Sequence, residues 1–190
     1  MKCLLNTLHP DEICSSVEEI DYEGLWRAGY RALIFDIDNT LGEWGCDVIP
    51  ECVHALLRRL SARGFALGFL SNDSGRGRPR VKEQLSCWTV VWRAKKPRTR
   101  GYENILSLLR SAEAQTVMIG DQLFTDVWGA KRAGLYAILV PPVSPPSDSS
   151  WAKLRRPLER LLLKLFPREN ATHDNADDGQ EERREGSPPD

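Results

Sequence analysis

The most informative segment of this chain is RALIFDIDNTL, which spans residues 31–41. Its apolar part, which ends at Phe35, is typical of a strand buried on both faces of a parallel sheet. Two carboxylates, Asp36 and Asp38, follow directly. Aspartate is a poor strand former, and a carboxylate at the end of a buried strand has to be paired or bind a cation. The segment therefore predicts a buried strand that ends in a charged, chemically active turn.

Similar apolar runs recur along the chain and alternate with helical patterns. Further strands are predicted over residues 65–70, 90–92, 116–119 and 136–140. Helical faces are formed by Val53, Leu56, Leu57 and Leu60, by Ile105, Leu106, Leu108 and Leu109, and by residues 126–133. Strands alternating with helices predict an α/β fold with a doubly wound parallel sheet, in which the chemistry collects at the carboxyl ends of the strands.

Composition and charge are those of an ordinary globular protein. The 190 residues are 41% hydrophobic and carry a formal charge of −1, so the overall charge implies no polyelectrolyte partner. The tail, with eight acidic residues and three arginines, has a net charge of −5. The predicted regions are an N-terminal helical segment over 1–30, a catalytic core over 31–143, a linker and amphipathic helix over 144–167, and a disordered acidic tail over 168–190.

The cysteine pattern and the absence of long apolar runs bear on the cellular compartment. Five cysteines include no C-x-x-C pair, which predicts reduced thiols rather than a disulfide framework or a zinc site. No stretch approaches the ~18 apolar residues of a membrane span, and the N-terminus does not resemble a secretory signal. We expect a cytoplasmic protein, soluble or peripheral to a membrane.

Three other strand ends supply the groups that phosphoryl transfer requires. Ser71 and Asn72 follow the second strand, where a hydroxyl and an amide can hold phosphoryl oxygens. Lys96 follows the third strand, and a fixed ammonium can neutralise a phosphoryl group. Asp121 and Asp126 follow the fourth, and oxygen-rich clusters of this kind favour Mg²⁺. Each group alone is also typical of a turn, a solvated basic loop or a helix cap. Four successive strand ends each carry one of the required groups, which makes a chance arrangement improbable.

Two neighbouring carboxylates permit phosphoryl transfer in two steps. One aspartate can attack phosphorus and form an aspartyl-phosphate, while the second protonates the leaving group and then activates water. The ordered set resembles the four motifs of haloacid dehalogenase (HAD) superfamily phosphatases. These motifs are Asp36-Ile37-Asp38-Asn39-Thr40, Ser71-Asn72, Lys96-Pro97 and Gly120-Asp121 to Thr125-Asp126. The sequences of these motifs are similar to those of the YqeG-like subfamily IIIA, which is related to phosphatidylglycerophosphate phosphatases. The resemblance covers roughly residues 5–166.

The resemblance implies a role for each motif residue. Asp36 is the implied nucleophile, Asp38 the general acid/base, and Lys96 the cation that stabilises phosphoryl charge. The implied substrate-binding residues are Thr40, Ser71 and Asn72. The implied cofactor is Mg²⁺, held by Asp36, the Asp38 backbone carbonyl and Asp121. Asp126 is implied to orient a metal-bound water or Lys96.

The spacing of the motifs leaves no room for a cap domain over the site. Only 30 residues separate Thr40 from Ser71, and only 23 separate Asn72 from Lys96. An uncapped site admits a phosphate on a lipid or a macromolecule. We therefore expect a phosphorylated substrate with a lipid headgroup, phosphatidylglycerophosphate by the resemblance; a soluble sugar phosphate or nucleotide is the alternative.

The C-terminal region carries a basic amphipathic pattern. Its apolar face consists of Leu158, Leu161, Leu162 and Leu165, and its cations are Arg155, Arg156, Arg160 and Lys164. Such a helix can lie on an anionic membrane. The alternative is a helix packed on the sheet.

A Gly-Arg-rich run offers a different class of function. Residues 75–80, GRGRPR, resemble the core of an AT-hook, which enters the minor groove of DNA. The run is single and lies inside the enzyme fold, so we expect a basic loop that attracts anionic substrate and not a nucleic-acid module. A catalytically inactive adaptor is a third alternative, although all catalytic residue types are present.

Overall fold

The computed structural model describes residues 7–144, and the predicted C-terminal helix and acidic tail lie outside them. The strands are β1 (Glu12–Ile13), β2 (Ala32–Phe35), β3 (Ala66–Leu70), β4 (Thr89–Val91), β5 (Thr116–Gly120) and β6 (Tyr136–Leu139). The helices are α1 (Tyr22–Arg27), α2 (Glu51–Arg63), α3 (Pro79–Gln84), α4 (Thr99–Leu109) and α5 (Trp128–Arg132). A 3₁₀ turn, Glu113–Gln115, precedes β5, and a π-helical turn, Leu123–Val127, precedes α5.

The six strands form one sheet in the order β1-β6-β5-β2-β3-β4, and every pair in it is parallel. Strand β2 lies between β3 and β5, with Phe35 opposite Phe69 on one side and Ile119 on the other. This arrangement confirms the α/β fold with a doubly wound parallel sheet.

The sheet is buried on both faces, as its continuous apolar strands predict. Phe35 faces α2 and packs in a cluster that includes Leu57. Its neighbour Ile34 faces α4 and packs in a second cluster that includes Tyr102 and Ile105. Successive strand residues point to opposite faces, so each strand contributes to both cores.

Residues 7–30 differ from the predicted helical segment. They contain one short helix, α1, but they also supply the edge strand β1, which pairs with β6. Asp11 fixes this edge, because its carboxylate accepts from the Ala137 N–H at 2.8 Å and from Lys131 Nζ at 2.6 Å. A two-residue strand is too short for an alternating pattern to reveal it.

The segments that could hold a cap are short in the described residues. One helix, α2, lies between β2 and β3, and one helix, α3, lies between β3 and β4. The carboxyl ends of the strands are therefore left uncovered by an inserted domain, as the spacing predicts. Among residues 7–144, no helix combines the length and the apolar character that crossing a membrane requires.

Candidate active site

Three polar residues lie side by side at one edge of the sheet. Asp36, Ser71 and Asp121 are the first residues after β2, β3 and β5, which are neighbours in the sheet. Because these strands are parallel, their carboxyl ends meet, and the chain places the three side chains together without any long loop. The topology thus brings together motifs that are far apart in sequence.

The Asp36 carboxylate is buried and held from two sides. Lys96 Nζ donates to Asp36 Oδ1 at 2.5 Å, and the Thr40 hydroxyl donates to Oδ2 at 3.1 Å. The Asp36 backbone N–H donates to the Ile119 carbonyl at 2.9 Å, which continues the pairing of β2 with β5. The carboxylate therefore has a fixed direction at the floor of the site.

Lys96 connects two carboxylates. Its Nζ also donates to Asp126 Oδ1 at 2.7 Å, and its side chain is only 3% exposed. The loop that carries Lys96 is held by Asn72, whose Oδ1 accepts from the Lys96 N–H at 2.7 Å and whose Nδ2 donates to the Lys96 carbonyl at 3.1 Å. The Asn72 amide thus positions the lysine, a contact that its sequence motif does not reveal.

Burial and charge act in opposite directions on these groups. Burial raises the pKa of Asp36 to about 7, although the neighbouring Lys96 ammonium counteracts the shift. Burial alone lowers the pKa of Lys96, but the carboxylates of Asp126 and Asp36 outweigh it, so its pKa is raised. Lys96 is therefore a permanent cation in the site.

The Asp38 carboxylate has different partners. Arg78 Nη1 donates to Asp38 Oδ1 at 2.6 Å, and the Ser71 hydroxyl donates to Oδ2 at 3.2 Å. Ser71 Oγ in turn accepts from the Asp73 N–H at 3.0 Å. Asp36 and Asp38 thus lie in the same cavity but are paired with different cations, Lys96 and Arg78.

Asp36, Asp121 and Asp126 form a cluster of buried carboxylates, whose ligand oxygens lie within 4.8 Å of one another. Hard oxygen donors in this number suit Mg²⁺, so the donor set fits the implied cofactor. Both oxygens of Asp126 already accept hydrogen bonds, from Lys96 Nζ at 2.7 Å and from the Gln122 N–H at 3.0 Å. Asp126 thus contacts Lys96 at the side of the cluster.

The position of Asp126 depends on residues that the motifs do not include. The segment predicted as one helix over 126–133 starts instead as the π-helical turn, followed by α5. Tyr102 supports the turn, since its hydroxyl donates to the Thr125 carbonyl at 2.7 Å. Gly120 leaves room for the Asp126 side chain, because a Cβ at position 120 would lie 2.5 Å from the Asp126 carboxyl carbon. The contact of Tyr102 has no local sequence signal. The only signal for the second contact is the glycine directly before Asp121.

The charged residues form the floor of a cavity of about 870 Å³. Asp36, Asp38 and Lys96 line it, together with the aromatic side chains of Trp44, Phe124 and Trp128. Trp44 is 55% exposed, so an apolar surface stands at the mouth. The cavity can therefore hold a phosphate at its floor and an apolar group near its entrance.

Known proteins resemble this chain in sequence and in fold. Residues 93–142 match the HAD-hydrolase-like family. An uncharacterized protein from Corynebacterium glutamicum, solved by crystallography, superposes with a TM-score of 0.51 at 20% identity. The superposition covers 70% of this chain and 96% of that protein, and it shows the fold alone.

Two curated relatives carry a functional name. Phosphatidylglycerophosphate phosphatase 1, chloroplastic/mitochondrial, of Arabidopsis thaliana is 26% identical over 158 residues, which are 78% of this chain and 45% of that protein. The probable phosphatase YqeG of Bacillus subtilis is 30% identical over 159 residues, which are 84% of this chain and 91% of that protein. The chain therefore belongs to the YqeG family of HAD-like phosphatases.

Proposed function

We propose that this protein is a Mg²⁺-dependent phosphomonoesterase that works through an aspartyl-phosphate on Asp36. The observation that carries the proposal is the setting of Asp36. Its carboxylate lines the cavity, contacts the Lys96 ammonium and belongs to the carboxylate cluster with Asp121. A nucleophilic carboxylate needs such neighbours, because an anion otherwise repels a phosphate.

The first step forms a bond from an Asp36 carboxylate oxygen to phosphorus and breaks the ester bond to the leaving alcohol. Asp38 gives a proton to the leaving oxygen. In the second step a water molecule attacks phosphorus, Asp38 accepts its proton, and inorganic phosphate leaves as the Asp36 carboxylate is restored. The same carboxyl thus acts as acid and then as base.

The surrounding residues hold charge and direction during both steps. Lys96 neutralises the phosphoryl oxygens, and Thr40 fixes the second oxygen of Asp36. Ser71 holds the Asp38 carboxylate, and Asn72 holds the backbone of Lys96. Asp36, the Asp38 carbonyl and Asp121 would hold Mg²⁺, which would supply further positive charge for the phosphoryl group. Preorganised cations of this kind lower the barrier for phosphoryl transfer.

The test is hydrolysis of an aryl phosphate by Asp36→Asn, with Glu43→Gln as the matched control. Asparagine keeps the shape of the side chain but is a far weaker nucleophile, so we expect turnover to fall by at least about 10³-fold. Glu43 is an exposed carboxylate on the loop after Asp38, and its amide variant should keep parental turnover. Retained activity in Asp36→Asn contradicts the proposal.

Removal of divalent cations tests the cofactor separately. Excess chelator should abolish turnover, and Mg²⁺ should restore it. A trace of phosphorylated protein, captured by acid quench, should be present in the parent and absent from Asp36→Asn. Full turnover in the presence of chelator contradicts the requirement for Mg²⁺.

For the substrate, we propose a phospholipid monoester such as phosphatidylglycerophosphate. The name of the Arabidopsis thaliana relative supports it, as do the uncapped cavity and the aromatic residues that line it. Trp44 and Phe124 can contact the apolar part of an amphiphilic ester while Lys96 faces its phosphate. A soluble sugar phosphate lacks an extended apolar part for those aromatic side chains, whereas a nucleotide could stack its base on them, so the comparison of substrates has to include both.

Phosphate release from phosphatidylglycerophosphate in mixed micelles should exceed release from sugar phosphates and nucleotides. Trp44→Ala should lower the lipid rate more than the aryl phosphate rate, because its exposed indole can contact the apolar part of a lipid. If soluble esters are cleaved far faster than the lipid, the protein is a phosphatase for soluble substrates.

We also propose a cytoplasmic location with peripheral contact with anionic membranes. The pattern that supports it, with Leu161 on its apolar face, lies outside the described residues. Vesicles that contain anionic lipid should sediment the full chain, and Leu161→Asp should prevent sedimentation while sparing aryl phosphatase activity.

The nucleic-acid alternative stays a prediction as well. Arg78, the middle arginine of the GRGRPR run, is turned into the site and contacts Asp38.

A further inference from the structure

Arg78 is a buried arginine in the wall of the catalytic cavity. Only 5% of its surface is exposed. Its guanidinium donates from all three nitrogens: Nη1 to Asp38 Oδ1 at 2.6 Å, Nε to the Cys46 carbonyl at 2.9 Å, and Nη2 to Cys46 Sγ at 3.9 Å. Removing an arginine from water is costly unless it is paired, so its burial here depends on the Asp38 carboxylate.

The local sequence explains how an arginine from a basic loop reaches this position. Gly75 and Gly77 have φ values of +66° and +76°, a region that residues with a side chain rarely adopt. These two positions turn the chain, and Pro79 then starts α3 directly after Arg78. The run that resembles an AT-hook thus folds as a turn that delivers its middle arginine into the site.

We propose that Arg78 is a positioning residue that holds the Asp38 carboxylate toward the leaving-group oxygen. The proposal rests on the proposed function. Arg78 contacts Oδ1 of Asp38 at 2.6 Å and Ser71 contacts Oδ2 at 3.2 Å, so these two partners fix the rotation of the carboxyl group. The Gly45 N–H also donates to Oδ1, but at 3.5 Å it is the longest of the three contacts. The guanidinium is itself anchored on the Cys46 carbonyl, and its planar fork gives that anchor a direction that a lysine does not reproduce.

A role through Asp38 makes a specific prediction about substrates. Proton donation matters most for an alkyl phosphate, whose alkoxide is a poor leaving group. It matters little for p-nitrophenyl phosphate, whose phenolate leaves without a proton. Loss of Arg78 should therefore slow alkyl ester cleavage more than aryl ester cleavage, whereas a general loss of folding or of phosphate binding slows both alike.

The experiment measures kcat and KM of Arg78→Met with glycerol 3-phosphate and with p-nitrophenyl phosphate, in the full chain with Mg²⁺. We expect kcat to fall on the order of 10²-fold for the alkyl ester and less than about tenfold for the aryl ester, with KM little changed. Arg80→Met is the matched control, because Arg80 is exposed on the same run, and its ratio of rates should stay parental.

Two further variants keep the test decisive. Arg78→Lys retains the charge and the fold if Arg78→Met melts early, and it should show the same selective loss in smaller degree. In an Asp38→Asn background, Arg78→Met should add no further loss, because the carboxylate it positions is gone. The melting temperature of each variant is measured in parallel.

Equal losses for both esters, or a full additional loss in the Asp38→Asn background, overturn the role of Arg78. A loss confined to KM shows instead that Arg78 binds the substrate phosphate, and it overturns the positioning role too. A parent protein that cleaves neither ester, or an active Asp36→Asn variant, overturns the proposed function itself. The two failures are therefore distinguishable.

Discussion

Lys96→Met removes the ammonium that joins two buried carboxylates. Lys96 Nζ lies 2.5 Å from Asp36 Oδ1 and 2.7 Å from Asp126 Oδ1, and all three side chains are at most 5% exposed. Methionine has a similar length and no charge, so the substitution keeps most of the packing. It leaves both carboxylates facing each other without a cation.

The magnitude follows from that burial. Removing one partner of a buried ion pair costs about 3–5 kcal/mol, because the remaining charge is left without compensation. Lys96 serves two carboxylates, so we expect a loss of about 4–5 kcal/mol in the free energy of unfolding. In a protein of this size such a loss lowers the melting temperature by roughly 8–20 °C. Turnover should fall as well, because the phosphoryl group loses its fixed cation.

The assay is thermal unfolding in the presence of chelator, so that no divalent cation replaces the missing charge. Lys131→Met is the matched control. Lys131 Nζ lies 2.6 Å from Asp11 Oδ1, but both side chains are about a quarter exposed, so its loss should cost about 1 kcal/mol or less. An unchanged melting temperature for Lys96→Met, or equal shifts in the two variants, would refute the claim that burial sets the magnitude.

The remaining predictions concern the support of Asp126 and the edge of the sheet. Tyr102→Phe removes a buried hydroxyl donor and should lower the unfolding free energy by about 1 kcal/mol in denaturant titration, with kcat reduced. Gly120→Ala places a Cβ 2.5 Å from the Asp126 carboxyl carbon and should lower kcat for aryl phosphate severely even in folded protein. Asp11→Ala removes the acceptor of the Ala137 N–H and should cost about 1–3 kcal/mol while sparing turnover.

Each of these has a contrary result that is easy to recognise. Parental stability in Tyr102→Phe would mean that water replaces its hydroxyl. Parental kcat in Gly120→Ala would mean that the Asp126 turn can move aside. Lost turnover in a folded Asp11→Ala would mean that the edge of the sheet is coupled to the site.

The fold was predictable wherever its signal was local. The apolar run that ends at Phe35 is long enough to indicate a buried strand, and the structure has β2 there. Polar residues directly after three such runs were expected at one edge, and parallel pairing brings Asp36, Ser71 and Asp121 together. The roles of these residues stay predictions, but their proximity follows from topology.

What the sequence did not reveal depends on contacts between distant residues. The π-helical turn is set by Tyr102, which lies on α4 and supports the Thr125 carbonyl. Arg78 belongs to a Gly-Arg run that is typical of a solvated loop, and its burial requires Asp38, 40 positions away. Periodicity within a window carries no information about such pairs.

Val143 and Ser144, which follow β6, lie against the loop that carries Asn39. The Val143 N–H donates to the Asn39 carbonyl at 2.9 Å, and the Ser144 hydroxyl donates to Asn39 Oδ1 at 2.6 Å, directly beside Asp38. Ser144 is therefore held at the mouth of the site, where its hydroxyl also accepts from the Trp44 N–H at 3.4 Å. Short tethers give effective concentrations on the order of millimolar. A binding module or affinity probe fused directly after Ser144 therefore encounters the mouth of the site at that effective concentration. The concentration of the protein in solution does not change it.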